Sequence, residues 1–161
     1  MKHFKETQRF DQKWLLILMA VVLLVTLIPI FLILQEETTS SSALIASSVG
    51  FFTILLVSLF LYLLKLETGI DHHGIHYRFY PVIRQKTIPW NEISECYVRK
   101  YSPLKEYGGW GIRWGFNGRA YNVKGNKGIQ VVLKSGKKIL FGTQKENEAK
   151  NVIQSYKENF S

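Results

Sequence analysis

The residues with the most obvious coordination chemistry are one carboxylate and three imidazoles within six positions. They are Asp71, His72, His73 and His76. Imidazole nitrogen and carboxylate oxygen are ligands that zinc and other divalent ions accept. The spacing matches no metal-binding signature, and side chains around a tight turn need not converge on one ion. We therefore predict a solvated turn without a metal, with a pH-sensitive contact as the alternative.

A second cluster combines cations with glycine. Arg113 and Arg119 are interleaved with Gly111, Gly115 and Gly118. Glycine carries no side chain, so another backbone or an anionic group can approach it closely. We therefore predict an interaction surface at these five residues, on the sheet face opposite the neighbouring tryptophans or at the turn. The alternative is a solvated sheet face.

The tryptophans near this cluster offer stacking chemistry. Trp110, Ile112, Trp114 and Phe116 alternate along the chain and would share one face of a strand. Such a face could stack on bases or on a ligand. Because an aliphatic residue lies among the aromatic ones, we expect core packing instead. Trp90 is expected at a barrel rim or at the bilayer surface.

Nucleophilic chemistry has little support in this sequence. The single cysteine, Cys96, alternates with Ser94 and Val98 in a predicted strand and has no base near it in sequence. We expect it to be a small buried hydrophobe. The chain contains no phosphate-binding loop, His-Glu-x-x-His motif or Gly-x-Ser-x-Gly motif. The sequence therefore predicts a protein that is not an enzyme and that needs no cofactor.

Two apolar runs stand between the N-terminus and these residues, at 14–34 and 43–66. A helix of about 20 apolar residues is long enough to cross the hydrocarbon core of a bilayer. Neither run carries an acid, a histidine or an arginine, the groups that line most proton and ion pathways. We predict two transmembrane helices that act as an anchor.

Flanking charge predicts the orientation of these helices. Residues 1–13 carry four cations, whereas residues 35–42 carry no lysine or arginine. Cationic flanks favour the cytoplasmic side of a membrane. We therefore predict a cytoplasmic N-terminal segment at 1–13, a short extracytoplasmic loop at 35–42 and a cytoplasmic domain at 67–161. Both termini would lie in the cytoplasm.

The predicted cytoplasmic domain reads as consecutive short strands. Alternating apolar residues and turn signals predict strands at 74–80, 82–88, 93–100, 110–116, 119–123, 129–133 and 137–141. Asn117-Gly118 is a strong hairpin signal, because a type I′ turn needs two positive φ angles. Sequential antiparallel strands of this length indicate a sandwich or barrel.

A helix is predicted at the C-terminus. Thr143 to Glu146 fits a capping box, in which the first and fourth side chains each accept a backbone N–H. Apolar residues at helical spacing then form one face, namely Ala149, Val152, Ile153, Tyr156 and Phe160. This face should pack on the strands.

Several blocks of the chain resemble bacterial pleckstrin-homology-like (PH-like) proteins of unknown function that follow a two-helix membrane anchor. The resemblance covers residues 67–158 closely and the helices loosely. It is carried by Ile75 to Pro81, Ile88 to Ile93, Tyr97 to Pro103, Glu106 to Arg113, Gly118 to Leu133, and Gly142 to Lys145.

The resemblance implies an α+β protein: two transmembrane helices followed by a PH-like antiparallel β-barrel or sandwich, capped by the C-terminal amphipathic helix. It also implies self-assembly, because related bacterial domains are thought to form homo-oligomers. The hairpin loop at 71–74 has no lysine or arginine. That composition departs from PH domains that bind inositol phosphates through this loop.

Charge indicates the class of partner. The chain has a formal net charge of +9, and residues 67–161 contribute 16 cations and eight acids. Such a surface favours anionic partners, and the anchor makes nucleic acid the less suitable one.

The leading hypothesis is a non-enzymatic module, anchored in the bacterial cytoplasmic membrane, that docks a protein partner or a second copy through an exposed sheet edge. The alternative is a sensor of anionic lipid headgroups or of a small anionic ligand.

Overall fold

A computed structural model describes residues 3–35, 41–115 and 117–157. Within these residues the chain forms two compact units. One unit spans residues 10–64, and the other combines residues 3–9 with residues 65–157. The second unit is therefore a domain whose sequence is interrupted by the first.

The first unit consists of helices α1 (Lys13–Gln35) and α2 (Ser41–Leu63), which pack against each other. Each has 23 residues, and both are long and apolar enough to cross a membrane. The Thr26 hydroxyl is satisfied within α1, because Oγ1 donates to the Leu23 carbonyl over 2.8 Å. The second helix ends before the predicted residue 66, because the chain enters a strand at Lys65.

The second unit begins with an unpredicted strand. β1 (Phe4–Arg9) pairs antiparallel with β2 (Lys65–Asp71), in a register that runs from Phe4 opposite Ile70 to Arg9 opposite Lys65. The prediction treated residues 1–13 as a segment outside the domain and started the domain at residue 67. The structure instead makes the helical pair the connection between two neighbouring strands.

β1 is held in the domain by a buried carboxylate. Glu6 is almost fully buried and accepts three hydrogen bonds. They come from Thr143 Oγ1 over 2.6 Å, from the backbone N–H of Gln144 over 2.8 Å and from Gln8 Nε2 over 3.0 Å. Gln8 Nε2 also donates to the Gly142 carbonyl over 2.8 Å. Three of these four bonds join the first strand to residues more than 130 positions away along the chain.

Two further strands complete the first sheet, β3 (Gly74–Tyr80) and β4 (Ile83–Pro89). The four strands lie in the order β1-β2-β3-β4, and each pairs antiparallel with its neighbour. Strand alternation sends one set of side chains into the core. The buried apolar members of that set are Phe4, Leu66, Ile70, Ile75, Tyr77, Phe79 and Ile88.

The second sheet contains β5 (Ile93–Lys100), β6 (Gly111–Gly115), β7 (Gly118–Asn122), β8 (Lys127–Leu133) and β9 (Lys138–Gly142). Its order is β5-β8-β9-β7-β6, and β7 runs parallel to β9. The predicted hairpin at Asn117-Gly118 is confirmed as β6–β7, and β8 and β9 form a second hairpin.

One aspect of the predicted sheet is corrected. The strands do not form a simple antiparallel succession, since β7 neighbours β9 and not β8. The predicted alternatives were a barrel and a sandwich, and the described residues form two sheets and no closed barrel. Turn residues determine which strands make a hairpin, but packing between distant segments decides how hairpins lie beside each other.

An aromatic cluster joins the two sheets. The Tyr77 ring lies 4.8 Å from that of Phe141 and 5.1 Å from that of Tyr121, measured between ring centroids. Tyr121 stacks on Phe141 at 5.6 Å and lies 6.5 Å from Phe79. Burial raises the pKa of Tyr77 to about 12, so its hydroxyl stays protonated. Aromatic pairs of this kind contribute about 1 kcal/mol each beyond the area that they bury.

The segment between β5 and β6, for which no element was predicted, contains a short helix. α3 (Pro103–Tyr107) begins at a proline and ends at Gly108, which has a left-handed φ of 70°. Its carboxylate Glu106 accepts from Arg99 Nη2 over 2.8 Å and from the Ser102 backbone N–H over 2.7 Å. The hydrogen bond from Arg99 lowers the pKa of Glu106.

The predicted C-terminal helix is present as α4 (Glu146–Ser155), which packs on β5, and its predicted apolar residues Ala149, Val152 and Ile153 are buried. Phe160 lies outside the described residues. The predicted capping box is wrong. Glu146 binds Lys127 and Lys150 over 2.7 Å each, and the hydrogen bond from Lys127, followed by that from Lys150, lowers its pKa to about 2.

The capping threonine has a different role from the predicted one. Its hydroxyl donates to Glu6 and accepts from the Lys145 backbone N–H over 3.1 Å. The pattern Thr143 to Glu146 therefore marks the start of the helix, but its side chains tie the helix to β1 and β8 instead of to each other.

Candidate functional site

The five residues of the predicted interaction surface lie together on the β6–β7 hairpin, but the two arginines do not share a face. Arg113 pairs with Ala120 across the hairpin, whereas Arg119 pairs with Trp114. Residues that are directly opposite in an antiparallel pair project to the same face, and neighbours along a strand project to opposite faces. Arg113 and Arg119 therefore cannot act on one small ligand from a common surface.

Two glycines of this set are needed for internal packing. A Cβ atom at Gly115 would overlap the Glu106 carbonyl, and one at Gly118 would overlap the Lys138 carbonyl. Gly111 donates its backbone N–H to Asn122 Oδ1 over 2.9 Å. At Gly115 and Gly118, the space left by the missing side chain is therefore occupied by carbonyl groups of the chain itself.

The exposed aromatic residue of the hairpin is Trp114, contrary to the predicted core packing. It is 68% exposed, and the Arg119 guanidinium lies 4.9 Å from its ring centroid. β6 is an edge strand, so its residues have a neighbouring strand on one side only. Trp110 is partly buried and donates Nε1–H to the Gly125 carbonyl over 3.1 Å. Phe116 lies outside the described residues.

Trp90 is also placed differently from the prediction. It is 5% exposed, and so it lies in the core instead of at an open rim. Its ring stacks on Tyr156 at 5.4 Å, and its Nε1–H donates to the Asp71 carbonyl over 2.8 Å. This side chain joins the β2–β3 turn to the end of the C-terminal helix.

The histidine cluster forms a hydrogen-bonded turn. His76 Nε2 lies 2.8 Å from Asp71 Oδ2, and its Nδ1 lies 2.8 Å from Thr87 Oγ1. The His72 and His73 rings lie against each other at 3.9 Å. Across residues 3–35, 41–115 and 117–157, no three histidine, cysteine or acidic side chains are placed to hold a metal ion.

A hollow of about 390 Å³ lies on the outer face of the first sheet, above the strand that contains Gly69. Most of its charges are already paired. Lys65 Nζ contacts Glu67 over 2.7 Å, and this hydrogen bond lowers the pKa of Glu67. The Asp71 carboxylate also has a partner, because its Oδ2 lies 2.8 Å from His76 Nε2. The hollow therefore offers few uncompensated charges for a ligand.

The strongest candidate site is the outer edge of β5. Among the described residues β5 pairs only with β8, so its other edge carries backbone groups that no strand described in the structure engages. Just after β5, the Tyr101 N–H donates to the Asn126 carbonyl. This pair continues the register between β5 and β8, in which Tyr97 lies opposite Gln130. Hydrogen-bonded and non-hydrogen-bonded pairs alternate in an antiparallel ladder.

The alternation shows which backbone groups point away from β8. Tyr97 and Arg99 belong to the hydrogen-bonded set, like Tyr101. The N–H and C=O groups of Cys96 and Val98 therefore face outward, and neither makes a hydrogen bond within the described part of the chain. Outward groups of this kind can accept an added strand.

A groove of about 560 Å³ runs beside this edge, between β5 and α4. From β5 it is lined by residues 94–98, from α4 by Lys150, Ile153 and Gln154, and after the end of α4 by Lys157. Its floor is apolar, because Cys96 and Ile153 are buried there. Glu95 is the acidic residue in its lining, against two lysines.

Cys96 itself is confirmed as a small buried residue. Desolvation raises the pKa of its thiol to about 12, so the nucleophilic thiolate is not populated at neutral pH. The cysteine contributes its surface to the groove floor and not its reactivity.

The sequence reasoning named exposed sheet edges in general but did not select β5. The missing signal was non-local: β5 became an edge strand because β8 and not β6 pairs with it. The buried Glu6 was also missed, since a strand reading Phe-Lys-Glu-Thr-Gln-Arg has no apolar alternation beyond its first residue.

Comparison of the chain with protein-family models found no match. Comparison with curated protein sequences likewise found no similar protein.

Proposed function

We propose that this chain is a membrane-anchored, non-enzymatic interaction module. Its domain binds an extended segment of a partner protein, which adds a strand to the outer edge of β5. The carrying observation is the combination of outward backbone groups at Cys96 and Val98 with the groove between β5 and α4. Strand addition needs both features, since backbone bonds supply affinity and a groove for alternate side chains supplies specificity.

The lining of the groove indicates the chemistry of the segment. Every second side chain of an added strand would point to the floor formed by Cys96 and Ile153, so an apolar residue suits that position. Lys150 and Lys157 line the helix side of the groove.

The proposed setting is the bacterial cytoplasmic membrane, with α1 and α2 spanning it and both termini in the cytoplasm. The resemblance to PH-like proteins behind a two-helix anchor supports it, as do the cations before α1. The pairing of Arg9 with Lys65 supports the topology, because it brings both chain entries to the helical pair side by side.

The docking proposal is tested with a photo-crosslinking residue at Gln154, in the full-length protein in its native membrane. We expect one discrete adduct with another protein. The variant Val98→Pro removes an outward N–H without touching a bond to β8, and it should abolish the adduct. The matched variant Val98→Ala keeps that N–H and should retain it.

Three outcomes would contradict the proposal: no adduct, an adduct that survives Val98→Pro, or an adduct lost equally in both variants. An adduct with the mass of two copies would show that the β5 edge binds a second copy of this chain. Homo-oligomer formation would then replace the partner protein as the function of the β5 edge.

A second candidate function is sensing of an anionic lipid or of a small anionic ligand through the basic surface. The exposed Arg119 beside Trp114 favours it, and Arg113 would form a separate point of contact. The test is binding of short-chain phosphatidylglycerol to the full-length chain at low and high salt. A fragment that starts at Glu67 is unsuitable, because it lacks β1 and Glu6. Binding that Arg119→Gln leaves unchanged would exclude this site.

A further inference from the structure

The end of the first sheet from which the chain leaves for the helices carries exposed aromatic and apolar side chains. In the strand register, Arg9 lies opposite Lys65, and Lys65 lies opposite Tyr80. Lys65 is separated from the end of α2 by one residue. Neighbouring strands are about 4.8 Å apart, so the β3–β4 turn after Tyr80 lies within about 10 Å of both chain entries.

The side chains of this turn are amphipathic as a group. Tyr80 is 38% exposed and Val82 is 54% exposed. Lys65 Nζ and the Arg78 guanidinium lie 5.7 and 5.1 Å from the Tyr80 ring centroid. Aromatic rings with cations beside them are the side chains that suit the interface between headgroups and hydrocarbon.

The second sheet brings its own exposed tryptophan to the same end. β5 follows the end of β4 at Pro89, which is opposite Gly74 and so lies at the far end of β3. β9 then places Phe141 over Tyr77, and the next strand, β7, places Tyr121 within reach of Tyr77 and Phe79. Successive strands of the second sheet thus advance along β3 towards Tyr80.

β6 is the next and last strand in that order, one spacing beyond β7. It therefore lies at the level of the β3–β4 turn. Trp114 shares a face with Arg119, and Arg119 shares a face with Tyr121, which points to the first sheet. The Trp114 side chain projects from the face of the second sheet that packs on the first sheet, but at a point beyond the end of the first sheet. This position explains why a tryptophan with the phase of a core residue is 68% exposed.

We infer that these side chains form one surface, the aromatic rim, and that the rim rests on the anionic leaflet of the same bilayer that the helices span. The rim consists of Tyr80, Val82, Trp114, Lys65, Arg78 and Arg119. The inference rests on the membrane anchoring of the proposed function and is independent of the β5 edge.

Charge and tethering select the bilayer as the occupant of the rim. Three cations of the rim and the adjoining Arg9 outnumber Glu67, the carboxylate that binds Lys65 over 2.7 Å. Each cation at an anionic surface contributes about 1 kcal/mol. Because both chain entries to the helices lie at the same end of the first sheet as Tyr80, the proposed contact needs no separate recruitment and would fix the orientation of the domain. The β5 edge, at the opposite end of the second sheet, stays accessible to a partner.

The test uses the full-length chain with Cys96→Ala, reconstituted in vesicles of phosphatidylcholine and phosphatidylglycerol. Single cysteines that replace Trp114, Val82, His73 or Val21 carry an environment-sensitive fluorophore, and acyl-chain spin-labelled lipids serve as quenchers. We expect blue-shifted, quenched emission at 114 and 82. The label at 73, in the turn at the other end of the sheet, should be neither shifted nor quenched. The label at 21, within α1, should be the most quenched.

The outcomes separate this inference from the anchoring on which it rests. If the labels at 114 and 82 are quenched no more than the label at 73, while the label at 21 is quenched, the contact of the rim with the bilayer is wrong and the anchoring stands. No quenching at 21 overturns the anchoring itself. In the Val82→Cys background, Arg119→Gln should reduce quenching in phosphatidylglycerol vesicles, whereas Arg113→Gln on the opposite face should leave it unchanged. Equal effects of the two variants would also overturn the rim.

Discussion

Removal of the Glu6 carboxylate should loosen the whole domain, although this residue lies 59 positions before the rest of the domain in sequence. In Glu6→Ala, the Thr143 hydroxyl and the Gln144 N–H both lose a charged acceptor in a buried site. Hydrogen bonds to charged groups contribute about 1.5 kcal/mol or more each, so the expected loss in the free energy of unfolding is about 3 kcal/mol.

The single buried cysteine provides the assay. Cys96 lies beneath α4, and α4 follows directly from the segment that Glu6 holds. Its thiol is only 8% exposed, and burial suppresses the reactive thiolate, so the thiol reacts with a labelling reagent mainly when the domain opens. The labelling rate then follows the open population when reclosing is fast. A loss of about 3 kcal/mol corresponds to labelling that is about 100-fold faster. The measurement is made on the full-length protein in detergent.

A neighbouring residue on the same strand is the matched control. Thr7 is exposed on the outer face of β1, so Thr7→Ala should change only strand propensity. Its effect should stay within about 0.5 kcal/mol, or about threefold in labelling rate. Equal labelling rates for Glu6→Ala and Thr7→Ala would refute the role of β1 as an integral strand.

Three further predictions use the same labelling assay or chemical denaturation. Gly115→Ala should destabilise the domain by about 1–3 kcal/mol, because its Cβ meets the backbone of α3, whereas Gly69→Ala, where a Cβ has ordinary contacts, should be nearly neutral. Trp90→Phe replaces the buried indole with a smaller phenyl ring and removes the N–H donor, so the expected loss is at least about 1 kcal/mol. Glu106→Gln should cost about 1–2 kcal/mol at neutral pH. Arg99 lowers the pKa of the folded Glu106 carboxylate below its ordinary 4.5, so this stability is present above that pH and is lost as the pH falls through the folded value. The difference between wild type and Glu106→Gln should therefore shrink in acid, and a pH-independent difference would contradict the assignment.

Local patterns were sufficient for most of the secondary structure. The helical runs are long and uniformly apolar, and Asn117-Gly118 is a turn signal that acts within four residues. Strands β3 and β5 were predicted with the bounds that the structure has. Each of these features depends on residues that are close together in sequence, and propensity and patterning report on such features well.

The errors were non-local. β1 is a polar strand whose stability comes from Glu6 and Gln8, which bind residues at the other end of the chain. Trp114 has the phase of a core residue, but it lies on β6, the last strand of the second sheet, and is 68% exposed. The candidate site required the strand order of the second sheet, because the free edge of β5 exists only if β8 pairs with it and β6 does not.

The most direct test of the docking proposal is amide hydrogen exchange of the full-length protein, with and without a peptide from the crosslinked partner. Strand addition should protect the Cys96 and Val98 amides, which face outward, and leave the Tyr97 amide, which already belongs to the ladder with β8, unchanged. Protection that appears elsewhere in the domain while the Val98 amide exchanges as before would contradict it.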